Sequence, residues 1–324
     1  MARKREIIAE NKRKTRKIIL PNYFSAQLDL YIAYCVERNL KQTTVDSYVF
    51  YLEYLRKYLT NQNHSLLVDE IEESDIKGFL DYLRKVKKNT QPTINSAIAS
   101  IRPFFTFLTM KQKLLARNPM EDIQKGKTDS KPILPFSKYD LTMLLNEPSR
   151  STYVGYRDYC IMLVLLSNGM RISECVSLRL MDIDFKDNKI IILKTKNRTG
   201  RIVGLSTKVK SELQKFIRLC HKESKSTDFL FMNQDGGQLA IRTIQENLKE
   251  YGIRAKIDPQ KRVSPHTFRH TYAIYYLKNG GSTASLREQL GHLTIETVEK
   301  YLFWSTDDKL EEFQKYNPVD NMIL

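Results

Sequence analysis

The sequence has little cysteine and no long apolar run. Its 324 residues include only four cysteines, Cys35, Cys160, Cys175 and Cys220, which lie far apart and form no CxxC pair. This spacing argues against both a zinc site and a disulfide framework, so we expect four reduced packing residues. No apolar run approaches the roughly 20 residues that a membrane span requires. The N-terminus also lacks the apolar core and cleavage site of a secretory signal, so we expect a soluble, cytoplasmic protein.

Acidic residues are fewer than basic ones. Against 53 lysines and arginines the chain has only 37 aspartates and glutamates, which gives a formal net charge of +16. Such an excess exceeds what solubility requires and indicates a polyanionic partner. Nucleic acid is the first candidate, and an anionic membrane surface is the second. The length and the 41% hydrophobic content are sufficient for two domains, each with its own core.

The pattern along the chain predicts five segments. They are a basic N-terminal arm at 1–20, a helical unit at 21–123, a linker at 124–136, a second domain at 137–304 and a tail at 305–324. The helical unit contains four stretches with apolar residues three and four apart, for which Thr43, Ser74 and Thr93 are the expected caps. Its aromatic stripe, which runs from Tyr48 to Tyr58, is interpreted as core, with a base-stacking platform as the alternative.

The second domain is predicted to be helical with one small antiparallel sheet. Ser137 is expected to cap its first helix, and an almost wholly apolar helix then ends at Gly169. The runs 190–193 and 201–205, with turns at 186–188 and 197–200, are the strong strand signal of the chain. Helices are expected again at 208–223, 240–255 and 266–279.

The stretch "SPHTFRH" predicts an anion site at a helix N-terminus. Pro265 suits the first turn, so His266 and Arg269 lie three residues apart on one face, close to exposed backbone amides. His266 and His270 also have the spacing of a zinc-binding helix, but the residues between them include no carboxylate to act as a base. A capped surface helix is the plain structural alternative.

Two further cations are candidates for the same site. Arg171 directly follows the end of the buried helix, so we expect it at an interior boundary where Glu174 could orient it and a phosphate could bind its other side. A simple ion pair between the two is the alternative. Lys196 lies at the predicted hairpin turn, from which an ammonium could reach a ligand, and Lys194 and Arg198 are its neighbours.

Taken in order, these motifs resemble those of the tyrosine recombinases of the lambda-integrase and Xer type. The resemblance rests on "GMRISE", on "HTFRH", on "LGH" and on Tyr301, nine residues after His292. It covers most of the chain. It implies a mainly α fold with a small antiparallel β-sheet: an all-helical, SAM-like core-binding domain and an α+β catalytic domain.

The resemblance also implies a role for each matching residue. Arg171 and Arg269 would bind the scissile phosphate, and Tyr301 would attack it. His266 and His292 would hydrogen-bond the phosphate oxygens and assist proton transfer. The residue that matches the general acid for the departing 5′ hydroxyl is Lys196, although the family's usual glycines around it are Thr195 and Asn197 here, so Lys194 stays an alternative. Glu174 matches the acidic residue that supports the first arginine.

The chemistry that the resemblance implies needs neither a metal nor a cofactor. Two bidentate guanidiniums and two imidazoles can neutralise the charge that develops on the phosphate without Mg²⁺. A phosphotyrosine preserves the energy of the phosphodiester, so a 5′ hydroxyl of another strand can reverse the step without ATP.

The implied partners are double-stranded DNA at specific paired sites and further copies of the chain, as a tetramer on DNA, with accessory DNA-bending or directionality factors as a further possibility. In the family, a tail such as 305–324 often docks on a neighbouring subunit, and covering its own domain is the alternative. The short basic arm suits the integrase of a mobile element or a Xer-like resolvase, acting on the nucleoid of a bacterium. The expected phosphate-backbone contacts are Arg3, Lys4, Arg5, Lys12, Arg13, Lys14, Arg16, Lys17, Arg56, Lys57, Arg84, Lys85, Lys87 and Lys88.

Two other functions compete with recombination. A type IB topoisomerase would use the same transesterification as a monomer, without paired sites. A DNA-binding protein that keeps the fold without the activity is the second alternative, and it would be expected if a catalytic position were lost, whereas all six candidate groups are present.

Overall fold

The computed structural model describes residues 22–128, 133–192, 200–221 and 228–291. The chain divides into two compact units, Met1–Ser130 and Lys131–Leu324. The described residues of the first unit are helical, and those of the second combine helices with a three-stranded sheet. The predicted fold class, mainly α with a small antiparallel sheet, is therefore confirmed.

Four amphipathic helices form the first unit: α1 (Phe24–Glu37), α2 (Gln42–Asn61), α3 (Glu73–Lys85) and α4 (Gln91–Met110). A short 3₁₀ helix, Val68–Glu70, precedes α3. The four helices enclose a continuous core of aliphatic and aromatic side chains, which includes Phe24, Phe79 and Phe104. The helices follow from the apolar spacing of the sequence, because each contributes its apolar stripe to this core.

The aromatic stripe of α2 lies at the edge of the same core, as its interpretation as core predicts. Leu55 is fully buried, and the half-buried rings of Tyr54 and Tyr58 pack against Phe79 and Tyr82 of α3. Edge and tilted contacts between such rings stabilise the packing beyond the area that they bury.

The predicted caps of these helices are wrong. Thr43, Ser74 and Thr93 all lie inside the first turn, because each helix begins one or more residues earlier than expected. At α3 the N-cap residue is Glu72, whose backbone amide donates to the carboxylate of Asp75 at 2.9 Å. A carboxylate accepts the free amides of a first turn as well as a hydroxyl does, so several polar residues near a helix start are equivalent candidates.

The second unit contains seven helices within its described residues. They are α5 (Lys138–Asn146), α6 (Tyr153–Asn168), α7 (Ile172–Cys175), α8 (Thr207–Cys220), α9 (Ile241–Arg254), α10 (Pro265–Lys278) and α11 (Thr283–Leu290). Helix α6 is buried along almost its whole length, and α8 and α10 pack against it. As predicted, Ser137 caps α5 through its side chain, and α6 ends at Gly169.

The sheet has the order β1-β2-β3, with β1 (Ile183–Asp184), β2 (Lys189–Ile192) and β3 (Arg201–Gly204) all antiparallel. Ile190 pairs with Val203, and both side chains are buried in the core of the unit. The two predicted strands are present, and the two-residue strand β1 was not predicted. A 3₁₀ turn, Leu180–Asp182, leads into it.

Within the described ranges, every helix is too short or too polar to cross a lipid bilayer.

Candidate active site

The site begins where the buried helix α6 stops. Gly169 adopts a left-handed conformation with a φ of 56°, and a Cβ at this position would lie 2.3 Å from a ring carbon of Tyr272 and 2.7 Å from Leu290. Only glycine fits this close approach, and its conformation turns the chain sharply after the helix. The turn buries Met170 and directs the next residue, Arg171, outward at the start of α7.

Arg171 is more exposed than predicted. Its side chain keeps 42% of its surface accessible, whereas we expected it at an interior boundary. Met170 takes the interior position in its place. The backbone amide of Arg171 donates to Glu174 Oε2 at 2.8 Å, and its Nη1 lies 3.3 Å from Glu174 Oε1. Glu174 therefore contacts Arg171 in the way that the sequence predicts, while the side chain of Arg171 stays partly accessible to solvent.

Glu174 has a second and closer partner, Arg201. Nη1 and Nη2 of Arg201 donate to the two carboxylate oxygens at 2.9 Å and 2.8 Å, in a bidentate pair. Burial by itself would raise the pKa of Glu174. The hydrogen bonds from Arg201 and from the amide of Arg171, together with both positive charges, outweigh burial and lower this pKa to about 2. The carboxylate is therefore ionised at any physiological pH.

Arg269 lies deeper than Arg171, with 7% of its surface exposed. Its Nη1 donates to the carbonyl of Gly169 at 2.7 Å, and its Nη2 donates to the carbonyl of Leu290 at 2.8 Å. His266 is exposed in the first turn of the same helix, α10, after Pro265 and the side-chain cap Ser264. The predicted helix start is thus present, with an exposed imidazole one turn before a buried guanidinium.

Three arginines converge on the last three carbonyls at the end of α11. Arg201 Nε donates to Gln289 at 2.7 Å, Arg269 to Leu290 at 2.8 Å, and Arg171 Nη2 to Gly291 at 3.3 Å. The C-terminal end of a helix carries partial negative charge, so the guanidiniums are attracted to these carbonyls. The contacts join parts of the chain up to 120 residues apart and end immediately before His292.

His270 has different surroundings from His266. It is buried, and burial lowers the pKa of its imidazole while a backbone hydrogen bond with Ile133 opposes this effect. Its neighbour Thr271 accepts a hydrogen bond from the amide of Phe136 at 3.0 Å. These contacts fix the segment before α5 against α10, so His270 has a packing environment within the described residues.

An open cleft of about 1400 Å³ adjoins His266. It lies between α9 and the segment that leads into α10, and Glu246 is the one acidic residue among those that line its described part. Such a surface favours a polyanion. The sequence analysis did not single out its lysines and arginines, because these residues are spread along a segment without a motif. They are Arg242, Lys249, Lys256, Lys261 and Arg262.

Of the basic residues predicted in the first unit, Arg56 is half-buried and the others are exposed. Several of them form ion pairs: Arg56 Nη2 lies 2.7 Å from Glu53, and Asp81 lies within reach of both Arg84 and Lys85. Lys87 is placed over the ring of Tyr82.

Several predicted residues lie outside the described ranges. Among the candidates for catalysis these are Lys194, Lys196, His292 and Tyr301. The basic residues of the arm, Arg3 to Lys17, and the tail at 305–324 lie outside them as well. The described half of the candidate site thus consists of Arg171, Glu174, His266 and Arg269, together with one residue that was not predicted.

That residue is Arg201. A signal for it exists in the sequence, because side chains two apart in a strand share a face. Arg201 shares a face of β3 with Val203, which is buried. An arginine on the inward face of a strand requires a carboxylate partner. The sequence therefore indicates that Arg201 is paired, without indicating which acid it meets.

The described residues thus form a helical unit and a mixed unit that carries a cluster of three arginines. Two family models match the chain: "Phage integrase family" over residues 136–306, and "Phage integrase, N-terminal SAM-like domain" over residues 28–112. The chain therefore belongs to the phage integrase family, the tyrosine recombinases, whose members cleave and rejoin DNA.

The curated relatives point the same way. Tyrosine recombinase XerC of Anoxybacillus flavithermus is 30% identical over 288 residues, which are 86% of this chain and 93% of that protein. Tyrosine recombinase XerD of Oceanobacillus iheyensis is 30% identical over 287 residues, 87% of this chain and 95% of that protein. The prediction of a site-specific recombinase is confirmed, and these similarities do not favour a topoisomerase or a silent DNA-binding protein.

Solved structures share the fold. The XerH site-specific recombinase bound to a palindromic difH substrate has a TM-score of 0.69 and 19% identity, covering 90% of this chain and 85% of its own. The Tn1549 transposon integrase in complex with transposon right end DNA has a TM-score of 0.67 and 23% identity, covering 90% of this chain and 99% of its own.

Proposed function

We propose that the chain exchanges DNA strands at specific paired sites, with Arg171 and Arg269 holding the scissile phosphate and Tyr301 attacking it. The observation that carries the proposal is the convergence of these two arginines on adjacent carbonyls, Leu290 and Gly291, directly before His292. A phosphate beside the exposed guanidinium of Arg171 would meet a cation whose orientation is already fixed by Glu174 and the helix end.

The proposed reaction is a reversible transesterification. The phenolic oxygen of Tyr301 forms a bond to phosphorus, the bond from phosphorus to O5′ breaks, and a 3′-phosphotyrosine results. His266 and His292 hydrogen-bond the phosphate oxygens and assist proton transfer, one of the two imidazoles accepting the single phenolic proton, and Lys196 donates a proton to the departing 5′ oxygen. Attack by a 5′ hydroxyl of another strand reverses these steps. Neither a metal nor ATP enters this scheme.

Lys196 is the proposed general acid, and Lys194 is the alternative. Both lie in the part of the sequence that connects β2 to β3, and both carry an ammonium that can donate a proton. Replacing each lysine separately by alanine in the cleavage assay below distinguishes them, because only loss of the true donor slows expulsion of the 5′ oxygen.

We propose that DNA contacts both units. The cleft beside His266 is lined by five basic side chains of the catalytic unit, of which Arg242 pairs with Glu246 and Lys261 with Asp140, while Lys249, Lys256 and Arg262 are the proposed phosphate contacts. In the helical unit Lys57 and Lys88 are exposed, and the ion pairs of Arg56, Arg84 and Lys85 lie near the surface, where a phosphate can compete for the cation. The basic arm, Arg3 to Lys17, would add further phosphate contacts.

The proposed assembly is a tetramer on two DNA sites, with the tail at 305–324 docking on a neighbouring subunit. Exchange of strands between two duplexes requires four cleavage events, hence four active sites, and a tail that binds a neighbour would couple activity to assembly. Accessory DNA-bending or directionality factors are a further proposed partner, and the proposed place of action is the bacterial nucleoid in the cytoplasm.

The biological role is proposed to be integration of a mobile element, with Xer-like dimer resolution as the second candidate. Relatives at 30% identity named XerC and XerD favour resolution. The likeness of fold to a transposon integrase suits an element's own enzyme.

Mapping covalent adducts tests both the reaction and the role. Full-length protein is incubated with fragments of the DNA that carries its gene and flanking sequence, adducts are trapped with detergent, and their positions are read by sequencing. We expect adducts at two or more related sites with the wild type and none with Tyr301→Phe. Sites at the ends of an element indicate integration, and a single chromosomal site indicates resolution. Equal adducts with the variant would disprove the nucleophile, and adducts without site preference would indicate a topoisomerase.

A further inference from the structure

We propose that Arg201 is a positioning residue of the recombination reaction, which ties the end of α11 and the Glu174 carboxylate into one rigid unit. This inference rests on the proposed function, because the part it positions is the segment that continues to His292 and Tyr301. Arg201 would not touch the DNA. It would act through the groups that it holds.

The first support is the number and direction of its hydrogen bonds. Nη1 and Nη2 donate to the two oxygens of Glu174 at 2.9 Å and 2.8 Å, while Nε donates to the carbonyl of Gln289 at 2.7 Å. The three nitrogens of one planar guanidinium thus donate to two acceptor residues, Glu174 and Gln289, which lie 27 and 88 residues away from Arg201 in sequence. A lysine at this position has a single nitrogen and cannot make the same set of contacts in a fixed plane.

The second support is burial. The Arg201 side chain is 13% exposed and that of Glu174 is 15% exposed, so water screens their interaction much less than it screens a surface pair. The more exposed arginine of the cluster, Arg171, lies 3.3 Å from the same carboxylate. Arg201 therefore holds the carboxylate from the protein side and leaves the outer side for Arg171.

The third support is the close approach of Gly291. This residue has a φ of 67°, and a Cβ built on it would lie 3.0 Å from Arg201 Nη1 and 3.3 Å from its Cζ. The guanidinium therefore packs against the backbone at the last described residue before His292. A Cβ at Gly291 would require the guanidinium to move by a few tenths of an ångström, so the glycine of "LGH" lets Arg201 approach the backbone closely.

The place of Arg201 in the chain gives these contacts their consequence. It is the first residue of β3, and its contacts reach Glu174 of α7 and Gln289 near the end of α11. Arg201 forms hydrogen bonds with Glu174 and with the carbonyl of Gln289 in α11. We therefore assign its effect to the proposed phosphate-binding arginines and to the segment that leads to Tyr301, rather than to Lys196.

Three variants test the assignment. Arg201→Lys keeps the charge, Arg201→Met removes it, and Lys189→Met is the matched control. Lys189 lies on the neighbouring strand β2 and pairs with Asp184 and Asp187, away from α11. Circular dichroism first establishes that each variant is folded at the assay temperature.

The first readout is single-turnover adduct formation on a nicked duplex that carries the cleavage site mapped for the wild type. At saturating DNA we expect both Arg201 variants to be slower by about 100-fold, as for displacement of reacting groups by about 1 Å. DNA affinity should change by less than about threefold, because no phosphate contact is lost. Lys189→Met should behave like the wild type. A normal rate in Arg201→Lys, or a loss of affinity equal to the loss of rate, would overturn the proposal.

The second readout separates the nucleophile segment from the general acid. Replacing O5′ of the scissile phosphate by sulfur creates a leaving group that departs without receiving a proton. Lys196→Ala should recover on this substrate, whereas Arg201→Lys should stay slow. Recovery of Arg201→Lys would show that it acts through the hairpin lysine, contrary to the proposal.

The third readout needs no DNA. Amide hydrogen exchange in the peptide that covers 283–291 should accelerate in both Arg201 variants and stay unchanged in Lys189→Met. Unchanged exchange would overturn the proposal even if the wild type formed no DNA adduct. If the wild type forms no adduct but exchange accelerates in the Arg201 variants, the proposed function is refuted. The hydrogen-bonded link between Arg201 and α11 is then still supported.

Discussion

Replacing Glu174 by glutamine removes a negative charge from between two arginines while keeping the shape of the side chain. The pKa of this carboxyl falls from 4.5 to about 2 in the folded protein. A fall of this size corresponds to about 3 kcal/mol in favour of the folded state when the group is ionised. The side chain remains 15% exposed, so some screening applies. We therefore expect Glu174→Gln to lower the free energy of unfolding by about 2 to 3 kcal/mol near neutral pH.

The loss should depend on pH with a defined sign. The folded-state pKa of Glu174 lies below its ordinary value, so its contribution is fully present above 4.5 and is lost as the pH falls towards 2. The difference in stability between wild type and Glu174→Gln should therefore be constant at neutral pH and shrink in the acid range. Below the folded-state pKa both proteins have a neutral side chain at this position.

Urea unfolding followed by circular dichroism measures this difference at a series of pH values from about 7 to about 3. Glu246→Gln is the control, because Glu246 pairs with Arg242 on an exposed face where the two side chains are 63% and 87% accessible. We expect no measurable change in the control. A difference for Glu174→Gln that stays the same across the acid range would refute the reasoning, since the effect would then not come from the ionised carboxylate.

Three further substitutions test the site and the core of the second unit. Gly291→Ala should lower the free energy of unfolding by about 1 to 3 kcal/mol and slow DNA cleavage. Gly280→Ala is the control, because Gly280 also has a positive φ, 87°, but open space around its Cβ, so this variant should lose stability only. Equal cleavage rates in the two variants would contradict the contact between Gly291 and Arg201. Arg171→Lys should lower the cleavage rate by about 100-fold or more, because one ammonium cannot replace a bidentate guanidinium; an unchanged rate would remove Arg171 from the clamp. Asp158→Asn should destabilise the protein by about 3 to 5 kcal/mol in thermal or urea unfolding, because this fully buried carboxylate is paired with an arginine; a loss below about 1 kcal/mol would contradict this estimate.

The local features of the fold could be predicted from the sequence. The apolar length of α6, its end at Gly169 and the helix start at Pro265 are each determined by residues within a few positions of one another. The strands β2 and β3 are likewise marked by branched residues between polar turns. Helix starts are harder to predict: the N-cap residue of α3 is Glu72, two positions before the predicted cap, Ser74.

The contacts between distant segments could not be predicted in the same way. Arg201 meets the carbonyl of Gln289 across 88 residues, and no periodicity in the sequence encodes that meeting. Arg171 was expected inside because it follows a buried helix, but the left-handed turn at Gly169 gives that interior place to Met170. Local patterns determine which face a side chain takes, and packing of the whole unit determines which partner it finds.

The three arginines at one helix end show how the proposed phosphate clamp could be held in place by the rest of the unit. A guanidinium has five donors, so two of them can be used to fix its plane while it still presents others to a ligand. For Arg171 the fixing partners are Glu174 and the carbonyl of Gly291, and the rest of the side chain faces solvent. Since that carbonyl belongs to the residue before His292, the proposed clamp and the proposed nucleophile segment share one point of attachment. A displacement of the end of α11 must therefore move both together, which is why we expect substitutions at Arg201 and Gly291 to affect the rate of cleavage more than the affinity for DNA.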